Sequence, residues 1–174
     1  MRLVLLLSFG LLFSWGAVAQ SSKKAARQPL TPDAKAVEAA VVHFFDGMRA
    51  GDSAMARSVL APNARLLSVG ADKAGKVLPR ETPLPKFLEM IAQPHPQVLD
   101  ERIWDVRVHL DGDLATLWCE YAFYVGDTFS HCGVDAFQLY RSPEGWKIFA
   151  IADTRRKENC DLKAAQAAKA KPTP

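Results

Sequence analysis

Four β-forming segments joined by short turns run from Glu101 to Arg156, and this run constrains the fold more than any other feature of the chain. The turns are marked by clusters that contain glycine, at residues 111–113, 126–127 and 142–145. Successive strands joined by turns this short pair antiparallel with each other. The sequence therefore predicts an antiparallel meander of four strands.

The first half of the chain predicts three helices, with two short strands between the second and the third. Thr31, followed by proline and aspartate, offers a hydroxyl cap for a helix that ends at Gly51. A shorter helix is expected after Asp52, and a third after Pro83. Together with the meander, these elements predict the α+β class, with three N-terminal helices against a mainly antiparallel sheet.

The two ends of the chain differ in composition from the predicted domain. Arg2, an apolar run at residues 3–13 and the Ala17-Val18-Ala19 triplet predict a signal peptide at residues 1–19, cleaved near Ala19. The apolar run is shorter than the ~20 residues of a spanning helix, so no membrane contact is expected after cleavage. We expect a linker at residues 20–30, one domain at 31–162 and a disordered Ala/Lys/Pro tail at 163–174, in a periplasmic or secreted protein.

The formal net charge of +3 does not indicate a nucleic-acid partner. Seven of the 22 basic residues lie in the signal peptide, the linker or the tail, so the domain itself is mildly acidic. The sequence also contains no phosphate loop, metal-ligand spacing or serine-hydrolase elbow. We therefore expect no cofactor and no metal.

Three cysteines in an exported chain predict one disulfide and one free thiol. Cys132 with Cys160 is the preferred pair, because Cys160 follows the last strand closely and could fold back over it. Cys119 with Cys132 is the alternative.

The predicted strand registers bring several polar side chains to one face. A turn centred on residues 125–126 places Glu120 opposite His131, and a four-residue loop at 142–145 places His131 opposite Arg156. Trp118 and Thr154 belong to the next row, and Asp135 lies deeper on the same face. A last loop one residue longer would present Asp153 and Arg155 instead.

This face predicts a pocket with an apolar interior and a polar mouth. Trp118, Tyr124 and Phe137 are expected to supply apolar contacts, while Thr154 and Arg156 supply polar ones. The opposite face would carry seven largely apolar positions, which predicts a homodimer packed through it. Those positions are Leu117, Cys119, Tyr121, Phe123, Cys132, Val134 and Ala136.

The segments SHCGVDAF (130–137), GWKI (145–148) and DTRR (153–156) resemble the nuclear transport factor 2-like superfamily. More narrowly, the chain resembles its exported bacterial branch named SnoaL-like or lumazine-binding. The resemblance implies a cone-shaped α+β fold with a curved sheet, and it suggests a heteroaromatic ligand. Asp135 matches the position at which ketosteroid isomerases keep a protonated aspartate. Phe44 and Phe45 stand where those enzymes carry a phenol, so steroid isomerisation is not implied.

Three interpretations of the pocket remain open from the sequence. The first is a binder of a small, partly aromatic or anionic molecule. The second is a proton-transfer enzyme in which His131 acts as base, Glu120 orients it, and Asp135 or Arg156 stabilises negative charge. The third is a non-catalytic interaction module, in which the Glu120, His131 and Arg156 row is a structural ion-pair network.

Overall fold

The computed structural model describes residues 31–169, so the predicted signal peptide, the whole linker and the last five residues lie outside it. The elements follow in the order α1 (Pro32–Ala50), α2 (Ser53–Ser58), β1 (Leu60–Ala71), β2 (Val77–Thr82), α3 (Leu84–Ala92), β3 (Leu99–Asp111), β4 (Leu114–Val125), β5 (Thr128–Ser142), β6 (Gly145–Thr154) and α4 (Leu162–Ala167). The α+β prediction is confirmed, with one short helix more than expected.

Local capping determines where α1 begins and ends. The Thr31 hydroxyl accepts a hydrogen bond from the backbone N–H of Ala34 at 3.2 Å. At the other end, Gly51 adopts a left-handed conformation with φ of 66° and donates to the carbonyls of Gly47 and Met48. Both ends of this helix agree with the sequence prediction, because capping depends on residues that are neighbours in the chain.

The six strands form one sheet in the order β2-β1-β6-β5-β4-β3. The predicted meander is present as β3 to β6, each strand antiparallel to the next. The N-terminal hairpin β1–β2 joins its edge through a parallel pairing of β1 with β6. The main core lies between this sheet and the helices, and its fully buried members include Val41, Leu117 and Ile148.

A β-bulge changes the predicted register between β4 and β5. The turn lies at Gly126-Asp127, one residue later than the preferred centre. Ser130 is then an extra residue in β5, so that Phe123 pairs with His131. Because side chains alternate with a period of two, one inserted residue reverses the face of everything beyond it. The predicted pairing of Glu120 with His131 is therefore wrong.

A second bulge changes the register between β5 and β6. The predicted pairing is right beside the turn, where Ser142 pairs with Gly145. Phe149 is then an extra residue, and beyond it Asp135 pairs with Asp153. The second bulge therefore turns Asp153 to the face that had been predicted for Ala152.

The predicted outer face is also corrected by these bulges. Leu117, Cys119 and Tyr121 are buried on the concave side, each with about 1% exposure or less. The convex side of β4 instead carries Trp118, which is 48% exposed, and Glu120. The β4 part of the surface predicted for a homodimer is therefore wrong, whereas Cys132, Val134 and Ala136 of β5 lie on the convex side as predicted.

The C-terminal segment packs on the convex side of the sheet. Cys132 and Cys160 form the preferred disulfide, with their Cα atoms 5.9 Å apart, and Cys119 is the buried free cysteine. Helix α4 then buries Ala165 against Ala122 and Tyr124. The start of the predicted disordered tail is therefore helical. No helix within residues 31–169 is long and apolar enough to span a membrane.

Candidate functional site

A cavity of about 390 Å³ lies between α1, α3 and the concave side of the sheet. Aromatic rings form much of its wall: Phe44 stacks on Phe87 with ring centroids 5.6 Å apart, and Phe45 meets Phe137 edge to face at 5.8 Å. The walls are apolar because α1 turns its hydrophobic stripe towards the inward residues of the sheet. A small molecule with an aromatic body would find well-ordered contacts here.

One end of this cavity is polar and carries the side chains on which its chemistry depends. They come from four strands or their ends: Glu101 from β3, Tyr121 from β4, His131 and Asp135 from β5, Asp153 from β6 and Arg155 just beyond it. Among the described residues that line the cavity, Arg155 is the one lysine or arginine. Three carboxyl groups therefore face one guanidinium.

Glu101 and Asp135 form a carboxyl pair. Their side chains hydrogen-bond to each other, which requires that one of them carries a proton. Burial raises the pKa of Glu101 to about 7. Burial and the nearby Glu101 charge raise the pKa of Asp135 well above its ordinary value, and Asp135 is only 2% exposed. The pair therefore holds a proton at neutral pH.

Asp135 also has an unsatisfied atom. No backbone, amide, guanidinium or hydroxyl donor of residues 31–169 reaches its Oδ2 atom, although this atom is buried. A buried acceptor without a donor is costly, and such atoms are uncommon in folded proteins. The proton shared with Glu101, or a donor on a bound molecule, would satisfy this oxygen.

Asp153 is held beside the pair by Arg155 and lies close to the Tyr121 hydroxyl. The Arg155 Nε atom donates to its Oδ2 at 2.7 Å, and the Tyr121 hydroxyl lies 3.4 Å from the same oxygen. The same hydroxyl donates to the Thr154 carbonyl at 2.8 Å. Burial, with the nearby carboxylates, raises the pKa of Tyr121, so the hydroxyl keeps its proton.

Gly133 makes the Tyr121 interaction possible. A Cβ atom at this position would lie 1.8 Å from the Thr154 carbonyl oxygen and 2.7 Å from the Tyr121 ring. The phenol ring therefore crosses β5 at a residue that has no side chain, and reaches the backbone of β6. This crossing ties β4 to the end of β6 that carries Asp153.

His131 lies at the rim of the polar end. Its ring meets Phe123 at a centroid distance of 5.2 Å, and its Nδ1 lies 3.0 Å from the Ser130 hydroxyl. Burial and the nearby Arg155 charge lower the pKa of His131, so the imidazole is neutral at pH 7. A neutral ring adds no positive charge to the site.

A second network fixes the strand that carries Glu101. Arg49 of α1 donates to Asp100 Oδ1 at 2.8 Å and to the Glu101 carbonyl at 3.2 Å, and it also pairs with Asp46. Arg102 donates to the other oxygen of Asp100 at 2.7 Å. The Glu101 carbonyl and the side chains of both its neighbours are therefore bonded to α1 or to each other, which limits where the Glu101 carboxyl can move.

The structure brings together some of the predicted site residues and separates others. His131, Asp135 and Phe137 line the cavity as expected. Five others do not line it: Glu120, Trp118, Tyr124, Thr154 and Arg156.

Each of the five has a physical reason for its position. The bulge at Ser130 turns the even-numbered residues of β4 outward, which places Glu120 and Trp118 on the convex side. Tyr124 is buried in the small cluster beneath α4. The bulge at Phe149 turns Thr154 and Arg156 away from the cavity and places Arg155 there, the alternative that the sequence left open.

Sequence reasoning missed Glu101 and Tyr121 as site residues. Glu101 stands in the run Asp100-Glu101-Arg102, three successive charged residues at the start of a β-strand. Consecutive charges cannot all face solvent in a strand whose side chains alternate, so this run was a signal of a buried polar site.

Comparison with solved structures places this fold in the nuclear transport factor 2-like class. An NTF2-like protein with a cystatin-like fold from Novosphingobium aromaticivorans has a TM-score of 0.57 and 14% identity, over 80% of this chain and 90% of that chain. A protein of unknown function from Nostoc punctiforme has a TM-score of 0.57 and 10% identity, over 78% and 99%. A "putative dehydratase" of the NTF2-like family from Streptomyces avermitilis has a TM-score of 0.52 and 19% identity, over 71% and 96%.

The sequence model of one family matches residues 32–151, more than half of the chain. The protein belongs to this family, which is described as "Putative lumazine-binding". No curated protein matches the chain. The confirmed resemblance defines the fold and the family, and at identities below 20% the solved structures carry no information about activity.

Proposed function

We propose that the protein binds a small, partly aromatic molecule in the cavity between α1, α3 and the sheet. The observation that carries this proposal is a cavity with aromatic walls that ends in a buried carboxyl pair with an unsatisfied oxygen. Few polar groups in an otherwise apolar cavity are typical of small-molecule sites. The family name supports a heteroaromatic ligand of the same kind.

The size of the cavity limits the ligand. An apolar cavity of roughly 150 Å³ is large enough to hold benzene. The present cavity, at about 390 Å³, is more than twice as large and suits a molecule of two or three fused rings.

A matched pair of variants tests this proposal. The fluorescent probe N-phenyl-1-naphthylamine, which is neutral and aromatic, should bind the wild-type protein. Ser68 lines the cavity, so Ser68→Phe should fill it and abolish the fluorescence increase. Ala136→Phe makes the same change on the convex side, beside Trp118, and should leave probe binding intact. Equal binding by the two variants, each with a cooperative thermal transition, would contradict a ligand site in the cavity.

The carboxyl pair also supports a second candidate function, proton transfer to or from the bound molecule. A carboxylate with a pKa of about 7 is suited to act as a general base near neutral pH, and Glu101 meets this requirement. Glu101 replaces His131 as the proposed base, because Glu120 faces away from the imidazole that it was expected to orient.

Hydrogen exchange on the bound molecule separates binding from catalysis. Native mass spectrometry of protein purified from its own host identifies the molecule. In D2O, wild-type protein should exchange a carbon-bound proton of that molecule, while Glu101→Gln retains binding and loses the exchange. Wild-type protein that binds without exchange would leave binding as the function.

We also propose that the protein is exported and that its mature form begins near Gln20. The Cys132–Cys160 disulfide supports this, because disulfides persist mainly in oxidising compartments. Cell fractionation followed by N-terminal sequencing tests it, and an intact Met1 in a cytosolic fraction would contradict it.

A homodimer through the convex side of the sheet is retained as a proposal with a corrected surface. Trp118 lies between Arg107, its cross-strand partner, and Glu120, two residues along β4. A two-fold axis near Trp118 would bring the Arg107 of one copy to the Glu120 of the other. Sedimentation of wild-type protein should give a dimer, and Trp118→Arg should give a monomer; a wild-type monomer would refute the proposal.

A further inference from the structure

We propose that the cavity selects molecules whose polar edge consists of N–H donors, such as an amino-substituted nitrogen heterocycle, and that it rejects aromatic carboxylates. The carboxyl oxygens of Asp135 and Asp153 would accept hydrogen bonds from these N–H groups. This inference rests on the proposed function, since it names the class of ligand that the same cavity would take. It reverses the sequence-based expectation that the polar end would hold an anion.

The carboxyl groups of Asp135 and Asp153 are the hydrogen-bond acceptors at the polar end. Asp135 is 2% exposed, and no donor of the described residues outside the carboxyl pair reaches its Oδ2 atom. Asp135 and Asp153 are cross-strand partners, so both carboxyl groups stand side by side on the concave face. A heterocycle with a protonated ring nitrogen next to an amino group presents two neighbouring donors, which matches two neighbouring acceptors.

The hydrogen-bond donors at the polar end come from Arg155, Tyr121 and the carboxyl pair. Arg155 Nε already donates to Asp153, and the Tyr121 hydroxyl donates to the Thr154 carbonyl. The proton shared by the carboxyl pair is used between Glu101 and Asp135. Arg155 keeps its terminal N–H groups for a ligand, but its charge is already offset by Asp153, whereas a carboxylate ligand gains most from an unpaired cation.

The charges of the side chains at the polar end do not balance. With one proton on the carboxyl pair, Glu101 and Asp135 together carry about one negative charge, and Asp153 adds another. Arg155 contributes one positive charge, and the half-buried His131 is neutral. The polar end is therefore net negative, which repels an anion in a low-dielectric cavity and attracts a cation.

Three two-ring probes of nearly equal size test the inference in wild-type protein at pH 7. They are 2-aminoquinoline, which carries the donor edge, 2-methylquinoline, which lacks it, and quinoline-2-carboxylate. Calorimetric titration should show that 2-aminoquinoline binds at least tenfold more tightly than 2-methylquinoline. The carboxylate should show no measurable binding.

Substituted proteins then show which side chains cause the preference for 2-aminoquinoline. Asp135→Asn and Asp153→Asn should each weaken 2-aminoquinoline binding at least tenfold and leave 2-methylquinoline binding unchanged. Glu120→Gln removes an acid from the convex side and should change neither. The ranking in wild-type protein needs no variant, so the inference stays testable even if a substituted protein fails to fold.

The outcomes separate this inference from the proposed function. Carboxylate binding as tight as that of 2-aminoquinoline, or a donor preference that survives both substitutions, overturns the ligand class and leaves the cavity as a binding site. Binding of none of the three probes, with N-phenyl-1-naphthylamine still bound, also overturns the ligand class alone. Failure of all four aromatic molecules to bind overturns both.

Discussion

Replacing Glu101 with Gln should make the stability of the protein less dependent on pH. Burial raises the pKa of Glu101 from its ordinary value of 4.5 to about 7, and the pKa of Asp135 is raised as well. Both carboxyl groups therefore bind a proton more readily in the folded protein than in the unfolded chain. Their contribution to stability is complete at a pH below the unfolded values and is lost as the pH rises through about 7.

The magnitude follows from the change at Glu101. A rise in pKa from 4.5 to about 7 corresponds to about 3 kcal/mol. Glu101 is partly exposed, and solvent screening reduces this figure to about 2 kcal/mol. For a domain of this size, about 2 kcal/mol corresponds to a fall of roughly 6 °C in the melting temperature between pH 5 and pH 8.

The Gln side chain has nearly the same shape as Glu but cannot ionise, and its amide oxygen can accept the proton that Asp135 carries. The group that titrates near pH 7 is thereby removed, while burial still keeps the pKa of Asp135 above its ordinary value. The fall in melting temperature should therefore shrink to less than half of the wild-type fall. The neutral form of His131 is favoured in both proteins, so its opposite pH dependence cancels in the comparison.

Thermal unfolding followed by circular dichroism at pH 5, 6, 7 and 8 measures this effect. Glu120→Gln is the matched control, because it also removes one acid from the meander but on the convex side. Its pH dependence should equal that of the wild-type protein. Parallel curves for Glu101→Gln and wild type would show that Glu101 does not titrate near neutral pH in the way that we infer.

Three further substitutions test the packing around the site. Gly133→Ala should lower stability by about 3 kcal/mol or more in urea unfolding, because its Cβ would overlap the Thr154 carbonyl and the Tyr121 ring; a loss below about 1 kcal/mol would contradict that close approach. Tyr121→Phe leaves the Thr154 carbonyl without its donor and should cost about 1–2 kcal/mol in the same assay, and an unchanged midpoint would count against the bond. Cys160→Ser removes the link to Cys132 and should cost about 2–4 kcal/mol, with faster amide exchange in Leu162–Ala167; exchange as slow as in wild type would show that α4 packs without the disulfide.

The features that the sequence predicted well depend on local chemistry. The start and end of α1 follow from Thr31 and Gly51, and the turn residues define the meander. Cys160 could be paired with Cys132 because it follows the last strand by only a few residues. His131 and Asp135 share the cavity because they are four residues apart on one strand, so their common face does not depend on any neighbour.

The partners of those two residues could not be predicted in the same way, because they depend on how separate strands align. Glu101 belongs to a strand that does not pair with the strand of Asp135, since β4 lies between them. Their contact therefore depends on the curvature of the whole sheet. Each bulge adds curvature and reverses a face, and neither effect is included when a strand is assumed to alternate regularly.

The bulges do leave a trace in the spacing of buried residues, and this trace explains how one strand serves both the core and the site. In β6, Trp146, Ile148 and Ile151 are all buried, and the last interval is three residues instead of two. The extra residue is Phe149, where the ladder shifts. Without it, a regular strand with Trp146 and Ile148 in the core would turn Ala152 and Thr154 inward. With it, the strand packs the core near the turn and presents Asp153 to the cavity at its other end.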